Sequence, residues 1–157
     1  MLTRAVNSIR RHQVNRFHSL IVHRSNVHKL TLSNSLVGTG NLDKAAIFNS
    51  EGNSVWATSA GFQVSPQEMQ AIVAAYKDPG TDGVKKVQSE GLHVAGERFV
   101  VIKADDRSIY GKKGREGVVI VKTTQAILVT HYPESVQPGA ATNTVETLGD
   151  YLVKVGY

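Results

Sequence analysis

The sequence predicts an α+β domain in which helices pack on one antiparallel β-sheet. Much of the chain consists of short strand-like stretches joined by brief connections rich in Gly, Asp and Lys. Such short connections favour antiparallel neighbours, because a parallel pair of strands needs a long crossover. Two other segments carry helical signals, one in mid-chain and one at the end. At 157 residues the chain has the length of a single domain.

The predicted sheet begins with a hairpin. Residues 45–48 and 55–58 are strand candidates, since both are short apolar stretches bounded by polar residues. The Glu51-Gly52-Asn53 segment between them is a turn candidate, because Gly and Asn tolerate positive φ.

The clearest helix start is the Ser65-Pro66-Gln67-Glu68 segment. Ser65 can cap the first turn, Pro66 suits the first helical position, and Glu68 completes a capping box. Apolar residues follow at helical spacing: Met69, Ile72, Val73 and Tyr76. The Asp78-Pro79-Gly80 segment should end this helix, and a second short helix is expected over residues 82–88.

Further strands and a C-terminal helix complete the predicted domain. The strand candidates are residues 91–94 continuing into 98–104, then 108–111, 117–122 and 126–130. The last helix is expected over residues 139–155, where one helical face carries apolar side chains: Val145, Leu148, Leu152 and Val155.

Composition excludes several classes of protein. The chain has no cysteine, so it can form neither a disulfide nor a thiolate metal site. No apolar run approaches the roughly 20 residues of a membrane-spanning helix. The net charge of +5 arises in residues 1–34, which hold six of the 18 Lys and Arg and no acid. Residues 35–157 keep 12 bases and 13 acids, so their net charge is −1 and no nucleic-acid partner is expected.

The sequence shows no constellation of catalytic residues. Gly38-Thr39-Gly40 lacks the third glycine of a dinucleotide fingerprint, and residues 111–117 lack the Gly-Lys-Ser/Thr ending of a phosphate loop. His93 and His131 are isolated in strand-like stretches, and we expect them to be structural, without converging metal ligands. We therefore expect no enzyme activity, cofactor or metal. The alternative is that the protein is an enzyme or a transport factor that uses His93 or His131.

From Leu36 onward the sequence resembles the profilin family, particularly fungal profilins. The stretches that carry this resemblance are Leu36-Val37-Gly38-Thr39-Gly40, Asp43-Lys44-Ala45, Val55-Trp56-Ala57-Thr58-Ser59, Gly91-Leu92-His93, residues 104–111, His131-Tyr132-Pro133, Val136-Gln137-Pro138-Gly139 and Gly149-Asp150-Tyr151-Leu152. The resemblance implies a central antiparallel sheet flanked by helices on both faces, with a long C-terminal helix. It also implies a cytoplasmic regulator of the cytoskeleton and cell cortex. Such a protein binds monomeric actin, blocks its nucleation, promotes nucleotide exchange and delivers actin to growing barbed ends.

The resemblance also implies three sets of binding residues. The implied actin-binding residues are Arg98, Lys103, Lys112, Lys113, Gln137 and Thr142. Proline-rich proteins such as formins would bind Trp56, Tyr151, Leu152 and Tyr157. Anionic phosphoinositides would bind Lys112, Lys113 and Arg115. The chain departs from the family at two N-terminal positions, where Lys29 and Leu32 replace an aromatic pair that contacts proline.

Residues 1–34 do not match the family and are expected to form a basic extension preceding a profilin domain at 35–157. Three interpretations remain open for this extension: a mistaken gene model, a mitochondrial-type presequence, or a disordered basic arm. If the arm is genuine, an alternative function follows. The protein would then be mainly a phosphoinositide-binding membrane protein whose binding of polyproline is impaired.

Overall fold

The computed structural model describes residues 36–157, in which seven strands form one antiparallel sheet. The strands are β1 (Lys44–Asn49), β2 (Val55–Thr58), β3 (Leu92–Val94), β4 (Glu97–Ala104), β5 (Ser108–Lys113), β6 (Glu116–Lys122) and β7 (Ala126–Tyr132). Their order in the sheet is β2-β1-β7-β6-β5-β4-β3. The predicted antiparallel sheet is therefore confirmed.

Three helices accompany this sheet in the described part of the chain. They are α1 (Pro66–Lys77), α2 (Lys86–Glu90) and α3 (Pro138–Lys154), and a 3₁₀ turn at Val37–Thr39 precedes β1. None of the helices in residues 36–157 is long and apolar enough to cross a membrane.

The two faces of the sheet have separate cores. We call the side covered by α1 and α2 the first face, and the side covered by α3 the second face. All seven residues of β7 are buried, and they alternate between the two cores. Ile127 and Val129 join the first-face core, whereas Leu128 and Tyr132 join the second-face core. Helices on both faces were expected, and this expectation is confirmed.

The predicted capping box at the start of α1 is present. The Ser65 hydroxyl oxygen accepts from the Glu68 backbone N–H at 3.2 Å, and the Glu68 carboxylate accepts from the Ser65 N–H at 2.8 Å. These bonds satisfy backbone donors that have no partner within the helix.

The other end of α1 is closed by a buried ammonium group. Lys85 is only 6% exposed, and its Nζ donates to the carbonyl oxygens of Ala75 at 2.9 Å and Tyr76 at 3.4 Å. Its Nζ also lies 3.3 Å from the exposed carboxylate of Asp106. A cation at a helix C-terminus stabilises the unpaired carbonyls of the last turn.

The second helix begins later than predicted. Asp82 and Gly83 adopt positive φ, 53° and 78°, in a tight turn that lets Thr81 and Val84 form a β-bridge. Helix α2 therefore begins at Lys86 rather than at residue 82. The expected apolar face of the last helix is also wrong at one position: Val155 lies beyond α3 and is 47% exposed.

Some expectations fall on residues that the structure does not describe. The N-terminal extension, and Lys29 and Leu32 at the family's aromatic positions, lie outside residues 36–157.

Candidate partner-binding surfaces

The expected aromatic residues gather at the second face. Trp56 on β2 and Tyr157 after α3 are partly buried against the second-face core, while Tyr151 on α3 is 58% exposed. We call these three residues the aromatic surface. Leu152 is only 4% exposed and belongs to the core beneath it, so its side chain supports the surface rather than forming it.

Backbone hydrogen bonds fix the position of Tyr157. Its N–H donates to the carbonyl of Leu152 at 2.8 Å, and its carbonyl accepts from the N–H of Thr124 at 3.2 Å. The loop holding Thr124 also reaches the first hairpin, because the Ser50 N–H donates to the Gln125 carbonyl at 2.9 Å. This loop therefore brings the end of α3 to the same end of the sheet as the hairpin carrying Trp56.

A second surface lies on β4 and β5, where α3 does not cover the sheet. Phe99 and Val101 of β4 point into the first-face core, so alternation turns Val100 and Ile102 outward, where they are 56% and 59% exposed. Lys112 on β5 lies opposite Val100. We name the β4–β5 surface by its five residues: Arg98, Val100, Ile102, Lys103 and Lys112.

A register shift places Lys103 on this surface. The shift between Val101 and Lys103 puts Lys103 opposite Tyr110, and its Nζ lies 4.9 Å from the Tyr110 ring centroid. Arg98 is held by a guanidinium donor to the Glu90 carbonyl at 2.9 Å. The structure thus brings together three of the expected actin-binding cations around two exposed apolar side chains.

The sequence interpretation did not identify Val100 and Ile102. Both lie in the apolar run from Phe99 to Ile102, which a buried strand would also show. The flanking Arg98 and Lys103 are the only local hint that alternate side chains of this run face outward.

The remaining expected actin-binding residues are divided between two places. Gln137 caps the start of α3 with its backbone and is exposed, and Thr142 is half-buried in the same helix. Lys113 lies on β5 one residue after Lys112, so its side chain faces the opposite side of the sheet. There its Nζ lies 3.4 Å from the Glu97 carboxylate.

The expected phosphoinositide-binding cations do not form one cluster. Lys112 and Lys113 are on opposite faces, and Arg115 lies after Gly114 in the β5–β6 turn. The Arg115 guanidinium is 3.4 Å from the Glu134 carboxylate. Two of these three cations therefore already lie beside an acid.

An ionic network joins α3 to β5 between the two surfaces. The Glu146 carboxylate accepts hydrogen bonds from the hydroxyls of Ser108 and Tyr110, and it lies 3.1 Å from the Arg107 guanidinium. Arg107 also pairs with Asp150 at 2.8 Å. Burial, followed by the neighbouring Glu146, raises the pKa of Tyr110 to about 12. This network holds the helix of one surface against the strand of the other.

His131 is hydrogen-bonded to Asp43, as a structural histidine would be, but two acidic residues also converge on it, contrary to the expectation from the sequence. The carboxylates of Glu97 and Glu116 and a ring nitrogen of His131 all lie within 4.8 Å of one another. The expectation failed because these residues are far apart in sequence and meet only through the pairing of β4, β5, β6 and β7.

Comparison with known proteins places the chain in a family. The Profilin family model matches residues 28–157, so the expectation that residues 1–34 do not match the family is wrong for residues 28–34. Profilin of Saccharomyces cerevisiae is 46% identical over 125 residues, covering 80% of this chain and 95% of that protein. Profilin of Schizosaccharomyces pombe is 49% identical, and Profilin-2 of Acanthamoeba castellanii is 51% identical, each over 123 residues that cover 78% of this chain and 93% of the relative.

Solved structures give the same result. The crystal structure of Schizosaccharomyces pombe profilin matches with a TM-score of 0.76 at 46% identity, covering 82% of this chain and 98% of that one. Acanthamoeba castellanii profilin II matches with a TM-score of 0.75 at 48% identity and the same coverage. The resemblance read from the sequence is thus confirmed by sequence and by fold, and the chain belongs to the profilin family of actin-binding regulators of the cytoskeleton.

Proposed function

We propose that this chain binds monomeric actin through the β4–β5 surface and proline-rich segments through the aromatic surface. Such a protein sequesters actin monomers, promotes their nucleotide exchange and delivers them to barbed ends beside proline-rich assembly factors such as formins. The observation that carries the proposal is the presence of two separate surfaces, one cationic and apolar, one aromatic, joined by the hydrogen bonds and ion pairs between Glu146 of α3 and the start of β5.

The composition of the β4–β5 surface suits a protein partner with acidic groups. Val100 and Ile102 supply an apolar centre, and protein interfaces commonly combine such a centre with a polar rim. Arg98, Lys103 and Lys112 supply a rim of cations, which steer encounter with an acidic partner and fix its register. Gln137 and Thr142, at the start of α3, would add polar contacts to actin. A chain from the solved complex of LokiProfilin2 with rabbit actin shares this fold at 16% identity, with a TM-score of 0.67.

The aromatic surface suits a polyproline helix. Flat rings pack against proline rings, while the polar edges of Trp and Tyr hydrogen-bond to the partner's backbone. Mouse profilin IIa, which shares the fold at 23% identity with a TM-score of 0.62, was solved with a double repeat from the FH1 domain of mDia1. Trp56, Tyr151 and Tyr157 would provide the rings here, with Leu152 packed beneath them.

Phosphoinositide binding is the third part of the proposal. Lys112, Lys113 and Arg115 would attract anionic head groups, which would then compete with actin at Lys112. The alternative is that lipid binding is the main function and uses a basic arm at residues 1–34. The carboxylates beside Lys113 and Arg115 reduce the attraction of these two cations for anionic lipids, so we expect this binding to be weaker than that of actin. We place the protein in the cytoplasm, with the cytoskeleton and at the cell cortex.

A titration with poly-L-proline tests the aromatic surface. Trp56 is the sole tryptophan of the chain, so intrinsic fluorescence reports from the proposed site. We expect a saturable change that is lost in Tyr157→Ala. A flat titration of the unaltered chain would mean that this surface does not bind polyproline.

A parallel actin titration tests the β4–β5 surface with a matched pair of lysines. Lys112→Ala should weaken binding of actin monomers several-fold, because its side chain lies on the proposed surface. Lys113→Ala is the control, since its side chain faces the other side of the sheet, and its actin affinity should stay within about twofold. Equal losses in the two variants would contradict the assignment of this surface. Binding to vesicles with and without phosphoinositide, measured for the chain with and without residues 1–34, tests the lipid alternative. That alternative requires lipid binding to be lost when residues 1–34 are removed.

A further inference from the structure

Three potential metal ligands lie together at one end of the first face. Along β4, Glu97 has the same strand phase as the buried Phe99, and along β6, Glu116 has the same phase as the buried Val118. His131 on β7 pairs directly with Val118. Two-residue alternation therefore sends all three side chains to the first face, where their ligand atoms lie within 4.8 Å of one another.

The His131 ring is oriented by a carboxylate behind it. Its Nδ1 lies 2.6 Å from Oδ1 of Asp43, so the geometry makes Nδ1 the donor and leaves the lone pair on Nε2. Nε2 lies 3.9 Å from a carboxylate oxygen of Glu116. The His131 side chain is 10% exposed, and its ring meets that of Phe99 edge-to-face, with centroids 6.1 Å apart. A histidine that donates from one nitrogen to a carboxylate while offering the other is the usual arrangement at protein zinc sites.

In this structure Lys113 provides the positive charge beside Glu97 and Glu116. Lys113 pairs directly with Glu116 across β5 and β6, and its Nζ lies 3.4 Å from the Glu97 carboxylate. These side chains are partly exposed, so the contact is a surface ion pair of small net value. A divalent ion that binds both carboxylates can displace it.

We propose that Glu97, Glu116 and His131 bind a zinc-class divalent cation, with Asp43 orienting the histidine. One imidazole nitrogen and two carboxylates suit zinc, with water in the fourth position, whereas Mg²⁺ and Ca²⁺ prefer oxygen ligands alone. In a tetrahedral zinc shell the ligand atoms are about 3.3 Å apart, so the two glutamate side chains need to close by at most about 1.5 Å. Binding of the ion would release Lys113 from Glu97.

The test is a zinc titration of the full ¹⁵N-labelled chain, followed by its amide NMR signals. We expect saturable shifts at Gly117, Val118 and Tyr132, which adjoin the ligands on β6 and β7, and no such shifts with Mg²⁺. Four further histidines lie in residues 1–34, and they can also bind zinc: His12, His18, His23 and His28. Shifts that leave the β6 and β7 signals unmoved would overturn the proposal.

Substitutions around the site sharpen the test, and the zinc-free spectrum of each variant checks its fold. Glu116→Gln removes a ligand and should lower zinc affinity at least tenfold. Asp43→Asn removes the orienting carboxylate and should lower it about 10–100-fold. His93→Ala alters an exposed histidine on β3 and should change nothing. Parent-like affinity in Glu116→Gln would refute the site.

Of the two adjacent lysines of β5, one gives a test in which zinc affinity should rise rather than fall. Lys113→Ala removes the cation that competes for Glu97 and should raise zinc affinity. Lys112→Ala, on the other face, should leave it unchanged. Weaker zinc binding by Lys113→Ala would contradict the proposed displacement.

Discussion

The aromatic surface and the β4–β5 surface occupy the same side of the sheet but are built in different ways. Trp56 and Tyr157 are partly buried against the second-face core, so the core and the proposed polyproline site share these side chains. Val100 and Ile102 are more than half exposed, and the core beneath them is formed by Phe99 and Val101. Substitutions should therefore affect stability and binding together at the first surface, and binding alone at the second.

Trp56→Ala should have the largest effect. Loss of a central aromatic contact should lower polyproline affinity at least about 30-fold, corresponding to about 2 kcal/mol. Because Trp56 also packs against the second-face core, the free energy of unfolding should fall by about 1–3 kcal/mol. Calorimetric titration and urea denaturation measure the two effects.

Tyr151→Ala is the matched control within the aromatic surface. Its ring is 58% exposed, so polyproline affinity should fall while the melting temperature stays nearly constant. If Trp56→Ala weakened binding without lowering stability, the proposed contrast between the two surfaces would be lost.

Ile102→Asp should have the next largest effect, and only on actin binding. A carboxylate in the apolar centre of the β4–β5 surface should lower actin affinity tenfold or more, because it would be buried without a partner in the complex. The isolated chain should remain within about 0.5 kcal/mol of the parent in stability. Val84→Asp, at another exposed apolar residue, is the control and should bind actin normally. A normal affinity in Ile102→Asp would show that actin binds elsewhere.

Tyr110→Phe tests the network that joins the two surfaces. The folded-state pKa of Tyr110, about 12, is above the ordinary value of 10.0, so folding favours the neutral phenol. Its contribution to stability is complete below pH 10 and is lost as the pH rises from 10 to 12. The variant should lose about 1–2 kcal/mol at neutral pH with the Glu146 hydrogen bond.

The alkaline loss of stability should also become shallower in Tyr110→Phe. Part of it should remain, because burial also raises the pKa of Tyr76 and Tyr132. Urea denaturation between pH 7 and 12 measures this slope. Identical slopes in parent and variant would show that Tyr110 does not couple the helix to the sheet.

Local features of the fold were predictable from the sequence, and features that depend on pairing were not. The capping box of Ser65 and Glu68 involves residues three apart, so it is visible in the sequence alone. The late start of α2 was missed because the Asp82-Gly83 turn and the Thr81–Val84 bridge compete with the helix. Val155 fits the apolar period of α3 but lies beyond the end of the helix, just before Gly156, whose φ is +92°.

The candidate sites show the same division. Trp56, Tyr151 and Tyr157 were named through the family resemblance. The resemblance did not indicate that Lys112 and Lys113 face opposite sides, which follows from the strand phase of β5. The cluster of Glu97, Glu116 and His131 needs the strand register, because its members come from three different strands.

The buried ammonium of Lys85 has a consequence for chemical labelling. Lys85 is 6% exposed, whereas the side chain of the next residue, Lys86, is 76% exposed. An amine-reactive reagent should therefore acylate Lys86 in the native protein and reach Lys85 only when the end of α1 opens. The ratio of label on these two neighbouring lysines, read from one peptide by mass spectrometry, would report how often the domain opens, even in an intact cell.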